Sequence, residues 1–95
     1  HTLMAIDATS GAGQIKVDWK KVDVYYFAPQ KVFASDGGLY VAILSPKAIE
    51  RALRLQQDKS RYIPEYMKWS HAIENGRQNQ TYNTPAISTI FLMNE

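Results

Sequence analysis

Ninety-five residues with a formal charge of +2 and no cysteine allow one domain at most, and they exclude disulfide staples and thiolate metal sites. The eleven basic and nine acidic residues are scattered and form no basic stripe, so charge alone names no nucleic-acid or membrane partner. A hydrophobic share of 45% is more than a disordered segment carries, so the chain is expected to fold.

Leu3 to Ile6 is a short apolar run that ends in Asp7-Ala8-Thr9-Ser10-Gly11-Ala12-Gly13, the pattern of a buried strand entering a turn of small residues. Asp7 then stands at the strand's carboxyl end, the edge where ligands collect in open α/β sheets. Two readings stay open for it: a cap bonding the turn's own amides, or a ligand to something bound at that edge. Gly11-Ala12-Gly13 has neither the lysine nor the spacing of a phosphate loop and is assigned to turn geometry. Residues 17–21 read as a polar connection, with Trp19 covering apolar surface.

Val22 to Ala28 is apolar without alternation, as in a strand buried on both faces. Pro29 stops it and leaves Gln30 and Lys31 on the same sheet edge as Asp7. Gly37-Gly38 allows a tight reversal into Leu39–Leu44, a third buried strand expected to run antiparallel to its neighbour. Ser45-Pro46 is an N-cap with proline at the first helical position, and Ile49, Ala52 and Leu53 continue one apolar face to about Gln57.

Residues 58–80 are less regular and read as a loop plus a short helical segment. Lys59, Arg61, Tyr62, Lys68 and Trp69 are assigned to a packed connection in preference to a nucleic-acid face. His71 and Glu74 would share a helical face, but the chain's two histidines give too few ligands, and no metal site is assigned. Thr84-Pro85 predicts the cap and first residue of a closing helix with Ala86, Ile87, Ile90 and Phe91 inward. Its free amides, beside Asn83 and Thr84, would make an anion site. The apolar runs at 39–44 and 90–93 fall short of the roughly 20 residues that span a bilayer. The opening His1-Thr2-Leu3 has no charged leader region, so no signal or membrane segment is expected and a cytoplasmic location is the simplest expectation.

Lys31 sits in a short loop between two apolar runs, which fixes its position and is expected to remove part of its hydration. Both favour a nucleophilic amine. Most lysines in such settings are structural or simply exposed, so the loop alone does not decide. An amine, an acid on the same sheet edge and an anion-binding helix start are together the complement that an aldehyde-bearing pyridine phosphate requires.

Three motifs, AIDATSGAG, APQK followed by ASDGG, and NQTYNTPA, resemble in this order the phosphoserine aminotransferase family of fold type I pyridoxal-phosphate enzymes. The similarity runs from Leu3 to Glu95. It implies an α/β fold, part of the mixed, mostly parallel sheet of the large domain with flanking helices. Residues 1–95 would be an internal piece of that cofactor-binding domain, with no second domain present. It further implies that Lys31 is the Schiff-base lysine, Asp7 the ring-nitrogen partner and Gln30 a ligand of the cofactor phosphate. Asn83 and Thr84 match the pair that reaches the neighbouring subunit's cofactor, which implies a homodimer with shared sites. The family reaction moves an amino group between glutamate and 3-phosphohydroxypyruvate, giving O-phosphoserine and 2-oxoglutarate on the route to serine.

Val32 stands where many relatives carry asparagine. The family's ring-stacking tryptophan, its glycine-rich phosphate segment and the groups that hold the substrate phosphate have no counterpart here, and neither Trp19 nor Trp69 fills the first role. These residues alone are therefore expected neither to transaminate nor to hold the cofactor tightly. The alternatives are another fold type I enzyme, similar to alanine:glyoxylate aminotransferase or cysteine desulfurase, and a non-enzymatic domain binding an acidic partner through Lys59, Arg61, Lys68 and Arg77.

Overall fold

Apolar stretches separated by glycine and proline turns build a three-stranded sheet with helices after it. The computed structural model describes residues 2–95; His1, part of the opening read as carrying no leader, lies outside them. Strands β1 (Ala5–Asp7), β2 (Val24–Phe27) and β3 (Val41–Leu44) lie in that order across the sheet, followed by helices α1 (Pro46–Gln57), α2 (Trp69–Arg77) and α3 (Ile87–Asn94). The sheet is mixed, as expected. β1 and β2 are parallel, with Asp7 opposite Tyr26, while β3 returns antiparallel with Val41 opposite Phe27. The reversal passes through Gly38 at φ +87°, a backbone conformation that side chains resist.

Alternation along β2 sorts its side chains. Tyr25 and Phe27 are buried and join Ala8 and Ala12 in the core, with Ile6, Val17, Val22, Phe33 and Val41 packed around them. Burying one such aromatic side chain stabilises by about 1.5–3 kcal/mol. Tyr26 and Asp7, paired in register, share the opposite face. The expectation of strands buried on both faces is therefore corrected. Val24 and Tyr26 are only half-buried, and Ile43 of β3 is 47% exposed, because nothing among the described residues fully covers their sides of the sheet. The ladder of the third strand also begins at Val41, two residues later than its apolar run.

Helix α1 has the predicted limits. The Ser45 hydroxyl accepts from the Ala48 amide at 3.1 Å, Pro46 occupies the first turn, and the helix packs against β3 and α2. The irregular stretch after it contains a 3-10 turn at Glu65–Met67 and then α2. α2 ends in a Schellman motif: Gln80 donates to the Asn75 carbonyl and Asn79 to the Gly76 carbonyl, with Asn79 left-handed at φ 56°.

The closing helix departs from expectation. It begins at Ile87, with Ala86 extended at φ −70°, ψ 102° in the cap position, so Thr84 caps nothing. The start lies two residues past Pro85, and a tertiary contact accompanies it: Thr89, in the first turn, is hydrogen-bonded to Ser35 and Gly37 of the 35–38 loop. Its apolar side chains do not turn inward. Ile87 and Phe91 are 69% and 62% exposed, and Thr89 is the residue it buries.

Candidate active site

Parallel pairing brings the ends of β1 and β2 to one edge, and the two turns that follow them meet there. Ala8 donates to the Tyr26 carbonyl at 2.8 Å, carrying the ladder one residue past Asp7. The 8–15 turn then folds back to the turn after β2. A Cβ placed on Gly13, which lies at φ +89°, would stand 3.3 Å from Val32 Cγ1 and 3.5 Å from Phe33 Cζ.

Asp7 is exposed, and its Oδ1 accepts from the Thr9 amide at 3.0 Å and the Thr9 hydroxyl at 2.6 Å. The capping reading of Asp7 thus holds in the structure. The Thr9 hydroxyl, then the Thr9 amide, hold its carboxyl below the ordinary carboxylate range. Across the ladder Tyr26 has its phenol pushed up, first by desolvation and then by the Asp7 charge. Thr9 and Tyr26 were not singled out from sequence, although the Asp-x-Thr spacing is the mark of an Asx turn.

Lys31 lies on a firm base. Phe27 and Phe33 stack across the turn with ring centroids 5.1 Å apart and planes 20° from parallel. The Ser35 amide donates to the Pro29 carbonyl and the Ala34 amide to the Lys31 carbonyl, both at 3.1 Å, and Pro29 is fully buried. The Lys31 backbone is fixed as expected, but the residue is exposed, so the expected loss of hydration is not seen. Gln30 beside it is exposed too.

The structure unites some of the expected residues and not others. Asp7, Gln30 and Lys31 share the carboxyl edge of the sheet. A cavity of about 760 Å³ on the core side is lined by residues 6–11, 15–18, 21, 22 and 25; it reaches Asp7 but not Lys31. Asn83 and Thr84 are exposed in the bend before α3, and no hydrogen bond or ion pair joins them to the other three among the described residues. The helix start expected beside them lies further on, since α3 begins at Ile87. Of the basic residues considered for an acidic partner, Arg61 pairs with Asp58 at 3.2 Å and Lys68 pairs with Glu65. No described helix is long and apolar enough to cross a membrane.

The sequence is 56% identical over 94 residues to the phosphoserine aminotransferase of a Nocardioides species, covering 99% of this chain and 25% of the relative. The chain belongs to the phosphoserine aminotransferase family. It spans about a quarter of the length of the curated relatives it matches. The crystal structure of a phosphoserine aminotransferase from Cytophaga hutchinsonii superimposes with a TM-score of 0.82 at 37% identity, covering 96% of this chain and 25% of that one. An aspartate aminotransferase from Thermus thermophilus, at TM-score 0.70 and 21% identity over 96% of this chain and 24% of its own, shares the fold. No protein-family model matches the chain. The mixed sheet and its flanking helices are therefore those of a fold type I aminotransferase.

Proposed function

We propose that residues 2–95 supply the lysine-bearing part of the pyridoxal-phosphate site of a cytoplasmic phosphoserine aminotransferase, which interconverts glutamate and 3-phosphohydroxypyruvate with 2-oxoglutarate and O-phosphoserine. One observation carries the reading: an exposed amine on a braced turn and a carboxylate whose charged form Thr9 favours stand at the ends of two paired strands on one sheet edge, where the turns that follow meet.

The donor set fits the cofactor. Lys31 Nζ would hold its aldehyde carbon covalently. Asp7, whose Oδ1 accepts from Thr9 and whose carboxylate also meets the Tyr26 phenol, would pair with the protonated ring nitrogen, and the Thr9 hydrogen bonds favour its charged form. Gln30 would hydrogen-bond the phosphate. Pyridoxal phosphate, when bound, supplies an electron sink for the pair left at the substrate's α-carbon. Lys31, freed by the incoming amino group, takes and returns the proton at that carbon, for which an exposed and movable amine on a rigid base is suited.

Asn83 and Thr84 are exposed and do not line this edge's cavity, which supports a role toward the phosphate in a neighbouring subunit's site and hence a homodimer. The acidic-partner reading is weakened by the local pairing of Arg61 and Lys68. The test is to treat the 95-residue chain, and a full-length version, with pyridoxal phosphate, reduce with borohydride and find the modified residue by mass. Label concentrated on Lys31 supports the assignment. Label spread over surface lysines removes it.

A further inference from the structure

Thr89 is 1% exposed, the least accessible polar residue described, and no part of the proposed chemistry uses it. It makes two long-range contacts. Its hydroxyl donates to the Gly37 carbonyl at 3.0 Å, and its own carbonyl accepts from the Ser35 hydroxyl at 2.6 Å. Ser35, itself 8% exposed, donates its amide to the Pro29 carbonyl, which closes the turn holding Lys31. The residue between, Ala34, lies at φ 52°, a left-handed conformation that an alanine does not hold without restraint.

We propose that Thr89 is a positioning residue for Lys31: it latches the first turn of α3 to both Ser35 and Gly37, and so fixes the lysine's turn relative to the 83–84 segment five residues upstream of it. The inference rests on the proposed role of Lys31. The Ser35–Thr89 hydrogen bond is buried at both ends and the Thr89 hydroxyl is buried at its own, so neither tolerates much slack, since a donor or acceptor left without its partner is costly inside a protein. Space is open around the loop's glycines, since a Cβ on Gly37 would meet nothing within 4 Å and one on Gly38 only Ala86 at 4.0 Å. The latch therefore transmits the placement of α3 to a reactive amine through three residues.

The experiment uses Thr89→Val, which keeps shape and the carbonyl but removes the donor, Ser35→Ala, which removes the other hydrogen bond, and Thr89→Ser, which retains both. In the full-length enzyme, either of the first two lowers kcat by about tenfold or more while the KM for the amino donor stays put, as expected when a reacting group is misplaced and substrate binding is not. Thr89→Ser, unlike Thr89→Val, keeps most of the wild-type kcat. Without cofactor, hydrogen exchange at the Ala34 and Ser35 amides speeds up in both variants and stays near the wild-type rate in Thr89→Ser. If Thr89→Val does not fold, Ser35→Ala, which leaves α3 unaltered, carries the test. Unchanged kcat and unchanged amide exchange in a folded variant overturn the proposal. Absence of borohydride label on Lys31 in the wild type instead overturns the role of Lys31, while the exchange measurement still reports whether the latch exists.

Discussion

The imidazole of His71 lies flat on the phenol ring of Tyr82, with centroids 4.8 Å apart and planes 17° from parallel, while its Nε2 meets Glu65 Oε1 at 2.8 Å. Glu65 also takes the Lys68 ammonium on Oε2, so one carboxylate ties the 3-10 turn to α2 and, through the imidazole, to the stretch leading to Asn83.

This hub gives a pH prediction. The Lys68 contact first, and His71 second, hold the Glu65 carboxyl below its ordinary value of 4.5. A lowered folded value means that the stabilisation is fully present above the unfolded value and is lost as pH falls through the folded one. Urea midpoints of the wild type should therefore drop more steeply below pH 4.5 than those of Glu65→Gln. The difference should be modest because the pair is exposed. In the same variant the Tyr82 ring signals should move as the imidazole loses its anchor, and proton NMR reads this directly.

A second prediction concerns Ser45, which joins sheet to helix. Its hydroxyl caps α1 and donates to Asp23 Oδ1 at 2.9 Å, and Asp23 Oδ2 accepts from the Met4 amide at 3.0 Å. Ser45→Ala should cost about 1–2 kcal/mol, at the upper end for a cap, because an acceptor loses its donor as well. Ser45→Asp should keep the cap yet set two carboxylates together and remain less stable than wild type at neutral pH. Chemical denaturation of the three proteins ranks them.

The Schellman turn after α2 supplies a third. Asn79 holds φ 56°, which asparagine tolerates and alanine does not. Asn79→Ala should cost about 1 kcal/mol, a Tm fall of about 4–8 °C for a domain of this size, while Asn79→Gly should match or slightly exceed the wild type. A scanning calorimetry comparison in which alanine and glycine behave alike would mean that the left-handed cap is not what ends the helix.

These cases show why some of the fold could be read in the sequence and some could not. Helix α1 was legible because Ser45, Pro46 and the apolar face are all local to it, and its packing against α2 and β3 leaves those local signals in command. The carboxyl-edge placement of Asp7 and Lys31 was legible because each follows an apolar run that a small-residue or proline turn breaks. The start of α3 was not. Thr84-Pro85 has a helix-start pattern, but the helix begins at Ile87, and Thr89 in its first turn is bonded to residues more than fifty positions away. The exposure of Lys31 was hidden likewise, since it belongs to the folded turn and not to the apolar runs on either side.

The last prediction tests the contact that brings the acid and the amine to one edge. Gly13 sits at φ +89°, and its missing Cβ faces Val32 Cγ1 at 3.3 Å and the Phe33 ring at 3.5 Å. Gly13→Ala suffers twice: the left-handed backbone costs about 1–2 kcal/mol by itself, and the methyl crowds Val32, the residue after Lys31, while meeting the Phe33 ring at ordinary contact distance. Val32 must give by a few tenths of an ångström, with Phe33 beside it held in its stack on Phe27, so the shift passes to the lysine's turn. Gly13→Ala should therefore both lower the denaturation midpoint and reduce borohydride labelling of Lys31 under conditions where the chain remains folded. Val32→Ala, made in the same background, removes the nearest obstacle and should recover part of the labelling while leaving the backbone strain, and hence most of the stability loss, in place. Equal recovery of both would show that the clash alone matters; no loss of labelling in folded Gly13→Ala would show that the two turns do not set each other's position.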